Sequence, residues 1–483
     1  MLFAQLATVH GTTTMHCDQF ALPLTIHSQD ALVSWNKCVL AFLQHGSKTP
    51  DYLQATLSQD ENFALAHAVR GLMLLLLAKR ELVLEAHKSL RKAKEIARAI
   101  KQSKRELVYV DALEMWLEGR PSAAAACLEA CNSNYPDDAL MFKIGQAMRF
   151  ILGHSSRMRQ ACEVIAPKQN IDLATHGYVL GCFAFSLEET GDYVRARSTG
   201  LAALERNPKD AWALHAVAHC YDMCGQSKEG ILWLKNRREL FANCNNFSYH
   251  LWWHLALMHL DQGQYVEVLD LYDTKVRAEH TDDFRDISNA ASLLLRLELE
   301  GIDVGARWQE LTEISEHRLN DMSNMFASLH YLTSLLAGGE QTCVEQLQTC
   351  LSQFAHNTSD ELGATAKLSA LPEAYGLAHF SHGNYLSAYH YMAQARPNLI
   401  RIGGSHAQRD IFERIIIESA LRAGLITECR SLLEDRRRYR GGDDHFGRTR
   451  LTACERMTEQ LASPLYSSKM RTRSYGHSFG VGI

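Results

Sequence analysis

Proline is scarce in this chain, nine residues in 483. Because proline breaks helix interiors, its rarity leaves room for helix along almost the whole length. Alternating strand-like runs are also lacking, whereas apolar residues recur at three and four positions, so the pattern predicts an all-α protein. Cys-x-x-Cys pairs are missing too. Thirteen cysteines, an odd number without a repeated spacing, indicate neither a zinc ribbon nor a disulfide framework, and a reducing, cytoplasmic setting is expected. The longest apolar run, GLMLLLLA at 71–78, is far short of the roughly 20 residues a membrane-spanning helix needs. The opening MLFAQLATVHGTTTMHC has neither a basic n-region nor a sustained apolar core, so no signal peptide is read. No membrane partner is expected.

Strong charge of either sign is the last absence. A formal net charge of -5 leaves no basic footprint for nucleic acid, and no nucleic-acid partner is expected. The basic exception is the segment from Arg430 to Ile483, with ten Arg and one Lys against six acids. Its RRRYR run at 436–440 reads as a solvated helix end or tail.

What is present is a repeat. In YVLGCFAFSLEETGDYVRARSTGLAALERNPKD, residues 178–210, one helix closes at Gly191, a second opens at Asp192-Tyr193, and Asn207-Pro208 ends it. Ala196 and Ala203 sit seven apart on the second helix, where close approach of the first demands small residues. Gly225 repeats the turn 34 residues later, with Tyr221 and Gly230 in the large and small positions. Gly263 repeats it after 38, the extra four residues lying in RRELFANCNNFS. A weaker unit at 108–138 turns at Gly119, with Ala124 and Cys131 as its small residues. This is tetratricopeptide grammar, and it predicts stacked helical hairpins forming a superhelix with a concave groove where ligands dock. Residues 64–100 read as a long hairpin, 374–399 as another turning at Gly383-Asn384, and 340–364 as a polar stretch with a loop. The resulting division is an N-terminal extension at 1–21, helical hairpins at 22–175, core repeats at 176–273, further hairpins at 274–435, and a basic, partly flexible segment at 436–483.

Several segments together resemble the tetratricopeptide repeat protein 38 family over roughly Leu22 to Leu433: NFALAHAVRGL at 62–72, DAWALHAVAHCYDM at 210–223, YHLWWHLAL at 249–257, GIDVGARWQEL at 301–311, MFASLHY ending at Tyr331, and IGGSHAQRDIFERIIIESAL at 402–421. The resemblance implies an all-helical tetratricopeptide-like array and supplies no reaction. The chain departs from it at RRRYRGGDDHFGRTR and beyond.

Chemistry concentrates on histidine. His215 and His219 lie one turn apart, as do His250 and His254 on the first helix of the next hairpin, and each pair shares a helix face. Repeat register points His215, His219 and Asp222 toward the groove. First helices of neighbouring hairpins lie about 8–10 Å apart, so the pairs could converge. Three readings stay open: packing with each ring nitrogen satisfied, a binding or catalytic groove, and a divalent metal held by the four histidines. No cofactor is otherwise expected. A His-Glu-x-x-His protease is disfavoured, since Ala216-Val217-Ala218 and Leu251-Trp252-Trp253 separate the pairs. Trp253 and His330 are core or groove-lining candidates. In GGSHAQRD at 403–410, Ser405 caps a helix whose first turns carry Gln408, Arg409 and Asp410, and a glycine turn there, with Arg409 as a bidentate donor, could hold an anion. Two functions compete on these grounds: a scaffold binding a peptide, protein partner or small ligand in its groove, and an enzyme with a histidine-lined pocket acting on a small molecule. Oligomeric state is not legible.

Overall fold

The computed structural model describes residues 16–462. The opening residues 1–15, which include most of the segment scanned for a signal peptide, and residues 463–483 of the expected flexible tail lie outside the described residues. From Gln29 on, helices follow one another with short turns and loops between them; before them the two-residue strands His16–Cys17 and Pro23–Leu24 pair antiparallel. Proline explains itself by position: Pro50, Pro121, Pro372 and Pro397 all sit in first helical turns, where the missing N–H costs nothing.

The punctuation is a glycine with positive φ just after the first helix of each hairpin, at 119, 153, 191, 225, 263, 301, 339, 383 and 424. In that left-handed conformation glycine escapes the Cβ penalty that other residues incur. The spacing runs from 34 to 44 residues, so the repeat extends well past 176–273 into the second half. Ala78 takes the same left-handed role in the hairpin of Ala64–Leu76 and Arg80–Ala99. Close approach is real where small residues required it: Ala196 and Ala203 are fully buried, and a Cβ on Gly200 would meet Val217 at 2.7 Å. Residues 340–364 include the expected loop, at 358–360, but most of the stretch is helix. Gln341–Asn357 is a 17-residue helix whose buried stripe of Val344, Leu347, Leu351 and Ala355 has helical spacing; high polarity there marks its exposed face.

The superhelix closes on itself. Bonds join Arg80 to Asp321, Ser122 to Glu361 and Tyr193 to the Tyr439 carbonyl, across 241, 239 and 246 residues, as expected where one superhelical turn rests on the next. One large apolar core runs from Phe20 to Cys182 and another from Trp253 to Cys454. Among the described residues no helix is long and apolar enough to cross a membrane.

The basic run is not a solvated tail. Arg437 and Arg438 are exposed, but Arg436 and Arg440 are buried. Arg436 donates to Asp410 at 2.6 Å and to Asp444 at 2.5 Å, and Arg440 to Asp222 at 3.0 Å. Spacing of four on the helix Ile426–Tyr439 and its exit turns these two guanidiniums inward, and waiting carboxylates make that burial tolerable. The segment thereby covers the groove floor at Asp222.

Candidate metal centre

The four histidines converge. Helix Ala211–Met223 begins at Asp210, whose carboxylate accepts the Trp212 and Ala213 N–H groups, and it presents His215 and His219 on one face. Phe247–Asp261 runs beside it and presents His250 and His254. Their relative exposures are 1%, 0%, 8% and 0% in that order. The Nε2 atoms of His215, His250 and His254 form a triangle with sides of 2.9, 3.1 and 3.2 Å. The His219 ring centroid is 4.3 Å from those of both His215 and His254, and all four residues offer a ligand nitrogen within 4.8 Å of the others.

This triangle does not satisfy itself. A neutral imidazole has one N–H and one lone pair. His250 Nδ1 faces Asn289 Oδ1 at 3.2 Å, which assigns the proton to Nδ1 and leaves Nε2 a bare acceptor. One lone pair takes one N–H, so His215 and His254 cannot both be satisfied at His250, and their Nδ1 atoms have no partner either. Burial, the dominant cause, holds the pKa of His250 down to about 3 and those of His215 and His254 well below the ordinary value, with the neighbouring rings adding to it. All three are neutral at neutral pH. Trp253, fully buried, stacks on His250 at 5.3 Å and meets the His254 ring edge at 4.9 Å, walling the cluster.

A second cluster adjoins the first through His219. Glu188, fully buried at the end of His176–Glu188, lies 3.3 Å from His219 Nδ1 and 2.5 Å from His406 Nε2. Burial opposes its charge, but His406 and His219 outweigh that and lower its pKa to about 2. For His406 burial is again opposed, here by Glu188 and Glu189, and its pKa is raised. This pairing brings the C-terminal half to the groove. Glu188, Glu189, His406 and Asn289 were not singled out from sequence; the one available signal was two consecutive acids on an apolar helix, which need buried partners.

The other candidate residues are placed elsewhere. His330 is core: its Nδ1 donates to the Phe326 carbonyl at 2.8 Å and its ring packs on Phe412. Ser405 and Gln408 form a reciprocal cap on His406–Arg422, and Gln408 also reaches Asn289 at 3.1 Å, behind His250. The anion-clamp reading of the GGSHAQRD turn is corrected. Arg409 donates to the carbonyls of Gly403 and Gly404, and the helix N-terminus already has its anion, since Glu189 accepts the His406 N–H at 2.9 Å. Asp410 faces Arg414 and Arg436, and Asp222 faces Arg440; both charges are spent within the protein.

With this geometry in view, the chain is a tetratricopeptide-type helical-repeat protein. A tetratricopeptide repeat family model matches residues 199–231, from within the helix Tyr193–Arg206 through Ala211–Met223 into Ser227–Lys235. Among solved structures, human IFIT1 with PPP-AAAA is similar at 14% identity and a TM-score of 0.40, covering 93% of this chain and 97% of that one. Yeast Tom70 is similar at 12% identity and a TM-score of 0.33, covering 91% of each. The expectation of no nucleic-acid partner is corrected by the first of these, a chain of similar extent bound to PPP-AAAA. Net charge averaged over a long superhelix does not report on local surface, and the exclusion drawn from it does not hold.

Proposed function

We propose that this protein is a helical-repeat metalloprotein in which His215, His250 and His254 hold one divalent first-row transition ion, with His219 as the fourth ligand. The observation that carries the reading is the Nε2 triangle. Ligands at the usual metal–nitrogen distance of about 2.0–2.1 Å, separated by angles between octahedral and tetrahedral, lie roughly 2.9–3.4 Å apart, and the three sides of 2.9, 3.1 and 3.2 Å fall in that interval. A cation takes all three lone pairs at once, which no distribution of protons does. Asn289 on the far nitrogen of His250 is the kind of outer-shell acceptor that metal-ligating imidazoles use to set their orientation, and the Glu188 carboxylate lies 3.3 Å from Nδ1 of His219. An all-imidazole set suits zinc, iron, copper or nickel.

The superhelix then serves to enclose an ion. An open peptide groove is the weaker account, because the C-terminal segment already covers Asp222 and the helix His406–Arg422 packs over His219. The motif order at 210–223, 249–257 and 402–421 supports kinship with the tetratricopeptide repeat protein 38 family, and thirteen free thiols support a reducing compartment.

The test is elemental mass spectrometry on tag-free protein purified without chelator. Near-stoichiometric metal is expected in the wild type and its loss in His254→Ala. His219→Ala distinguishes a closed four-ligand site, which loses the ion, from a three-ligand site with an open position, which keeps it. Chelated wild-type protein that takes up none of zinc, iron, copper or nickel sinks the reading.

A further inference from the structure

Beside the three-histidine centre a second set of donors converges. Glu188, His219 and His406 are 0%, 0% and 6% exposed, and with Glu189 each offers a ligand atom within 4.8 Å of the others. Two of these residues face one another without bonding. His219 Nδ1 lies 3.3 Å from Glu188 Oε2, yet the pair is not aligned for a hydrogen bond and neither atom has another partner. Donors held roughly 2.0–2.2 Å from a common ion lie about 2.9–3.4 Å apart, which is the separation seen.

His406 is oriented toward the same carboxylate. Its Nδ1 lies 3.2 Å from the Tyr439 hydroxyl, which donates to the Glu189 carbonyl at 3.4 Å. A hydroxyl whose proton goes to that carbonyl accepts the Nδ1 proton, so the lone pair of the neutral ring sits on Nε2. A partner on the far nitrogen orients metal-ligating imidazoles in this way. His406 Nε2 then meets Glu188 Oε1 at 2.5 Å, and a lone pair stands so close to a carboxylate only where a cation joins them. A proton serves when no metal does. Glu189 is spent elsewhere, on the His406 N–H at 2.9 Å and beside Arg409 at 3.7 Å, and is not counted as a donor. Phe185, fully buried, packs edge-on to His219 at 5.4 Å, whereas Tyr439 is 47% exposed, so a single side chain separates His406 from the surface.

We propose that Glu188, His219 and His406 hold a second divalent first-row cation beside the three-histidine centre, with His219 between the two ions. Its Nδ1 serves the second ion, and its Nε2, which also lacks a partner, remains for the first. Two imidazoles and one carboxylate are the set that non-haem iron(II) uses, with positions left open for other ligands. A carboxylate donor also suits manganese better than an all-imidazole set does. Charge favours the pairing as well. The first centre contains no anion, and Glu188 is a buried carboxylate at its edge that offsets positive charge. Binding releases the proton shared by Glu188 and His406 and, where both nitrogens of His219 coordinate, its N–H proton. The shared role of His219 rests on the metal reading of the first centre; the second set of donors does not.

The experiment is equilibrium dialysis of full-length chelated protein against zinc, manganese or, without oxygen, iron(II), followed by elemental mass spectrometry. With at least one of these metals the wild type is expected to hold two ions per chain. Glu188→Gln, which keeps the size of the side chain, and His406→Ala are each expected to hold one, and His254→Ala to lose the first ion while keeping the second. An ion count unchanged in both Glu188→Gln and His406→Ala overturns the proposal, whether or not the first centre stands. A single ion in the wild type that is lost in His406→Ala but kept in His254→Ala supports the second set of donors and overturns the first reading. No ion of any of these metals in the wild type overturns both. Copper(II)-loaded wild type gives a reading independent of how the variants fold. Two ions on one imidazole ring give a spin-coupled electron paramagnetic resonance spectrum, and an isolated-copper spectrum overturns the proposal.

Discussion

Two buried polar clusters lie on either side of Asp222, and they solve the same problem differently. In the C-terminal one, Asp410, Asp444, Arg414 and Arg436 answer one another with paired bonds between 2.5 and 3.2 Å, and Arg440 beside them bonds Asp222 at 3.0 Å. In the histidine cluster three rings point equivalent nitrogens at one spot and leave others unpartnered. The first is closed by residues of the chain itself. The second leaves lone pairs and ring nitrogens unanswered by the chain, and that contrast is the ground on which the metal proposal rests.

Breaking the closed cluster should cost most. Arg436→Ala strands the charges of Asp410 and Asp444 in the interior, and a loss of about 3–5 kcal/mol is expected, read by denaturant unfolding. His254→Ala in chelated protein should cost less, about 2 kcal/mol or under, because it removes a ring whose Nδ1 already lacks a partner; with metal present its cost should rise as the wild type gains the stabilisation of a bound ion. A histidine variant that costs chelated protein as much as Arg436→Ala would mean the rings are satisfied core after all.

Acid sharpens the same comparison. His215, His250 and His254 have folded-state pKa values below the 6.5 of a free imidazole, so the unfolded chain binds protons that the folded state refuses. Stability is therefore fully present above about pH 6.5 and falls as pH drops toward about 3, by up to about 1.4 kcal/mol per pH unit for each ring. His406 works in the opposite sense. Its raised pKa contributes stability below 6.5 that is lost as pH rises through the folded value. Melting temperature against pH, with and without metal, tests this, and a flat apo profile between pH 6.5 and 5 would contradict it. The smallest expected effect is Gly263→Ala, about 1 kcal/mol, since its φ is 69° but nothing lies within 4 Å of the added Cβ. Gly153→Ala should exceed it, because there the new Cβ would overlap the Ile400 carbonyl of a later hairpin.

Much of this was legible along the chain. Turn glycines, small residues at 196 and 203, and pairs of histidines four apart are local signals, and helical geometry alone places each pair on one face. The repeat in the second half was harder to read because the steps to Gly383 and Gly424 lengthen to 44 and 41 residues, and because Gln341–Asn357 carries its apolar residues as a thin stripe. Arg436 and Arg440 misled for a related reason. A charge run reads as solvated until its partners, here 8 to 218 residues away, are brought alongside.

By itself the sequence determined the all-helical repeat and the direction of each inner helix face, because both follow from interactions within a few residues. Only the tertiary structure decided that His215 meets His250 and His254, and that Glu188 lies between His219 and His406. Those facts depend on the pitch with which hairpins stack and on how the superhelix closes. Both are sums of many small packing angles, and no single residue encodes them.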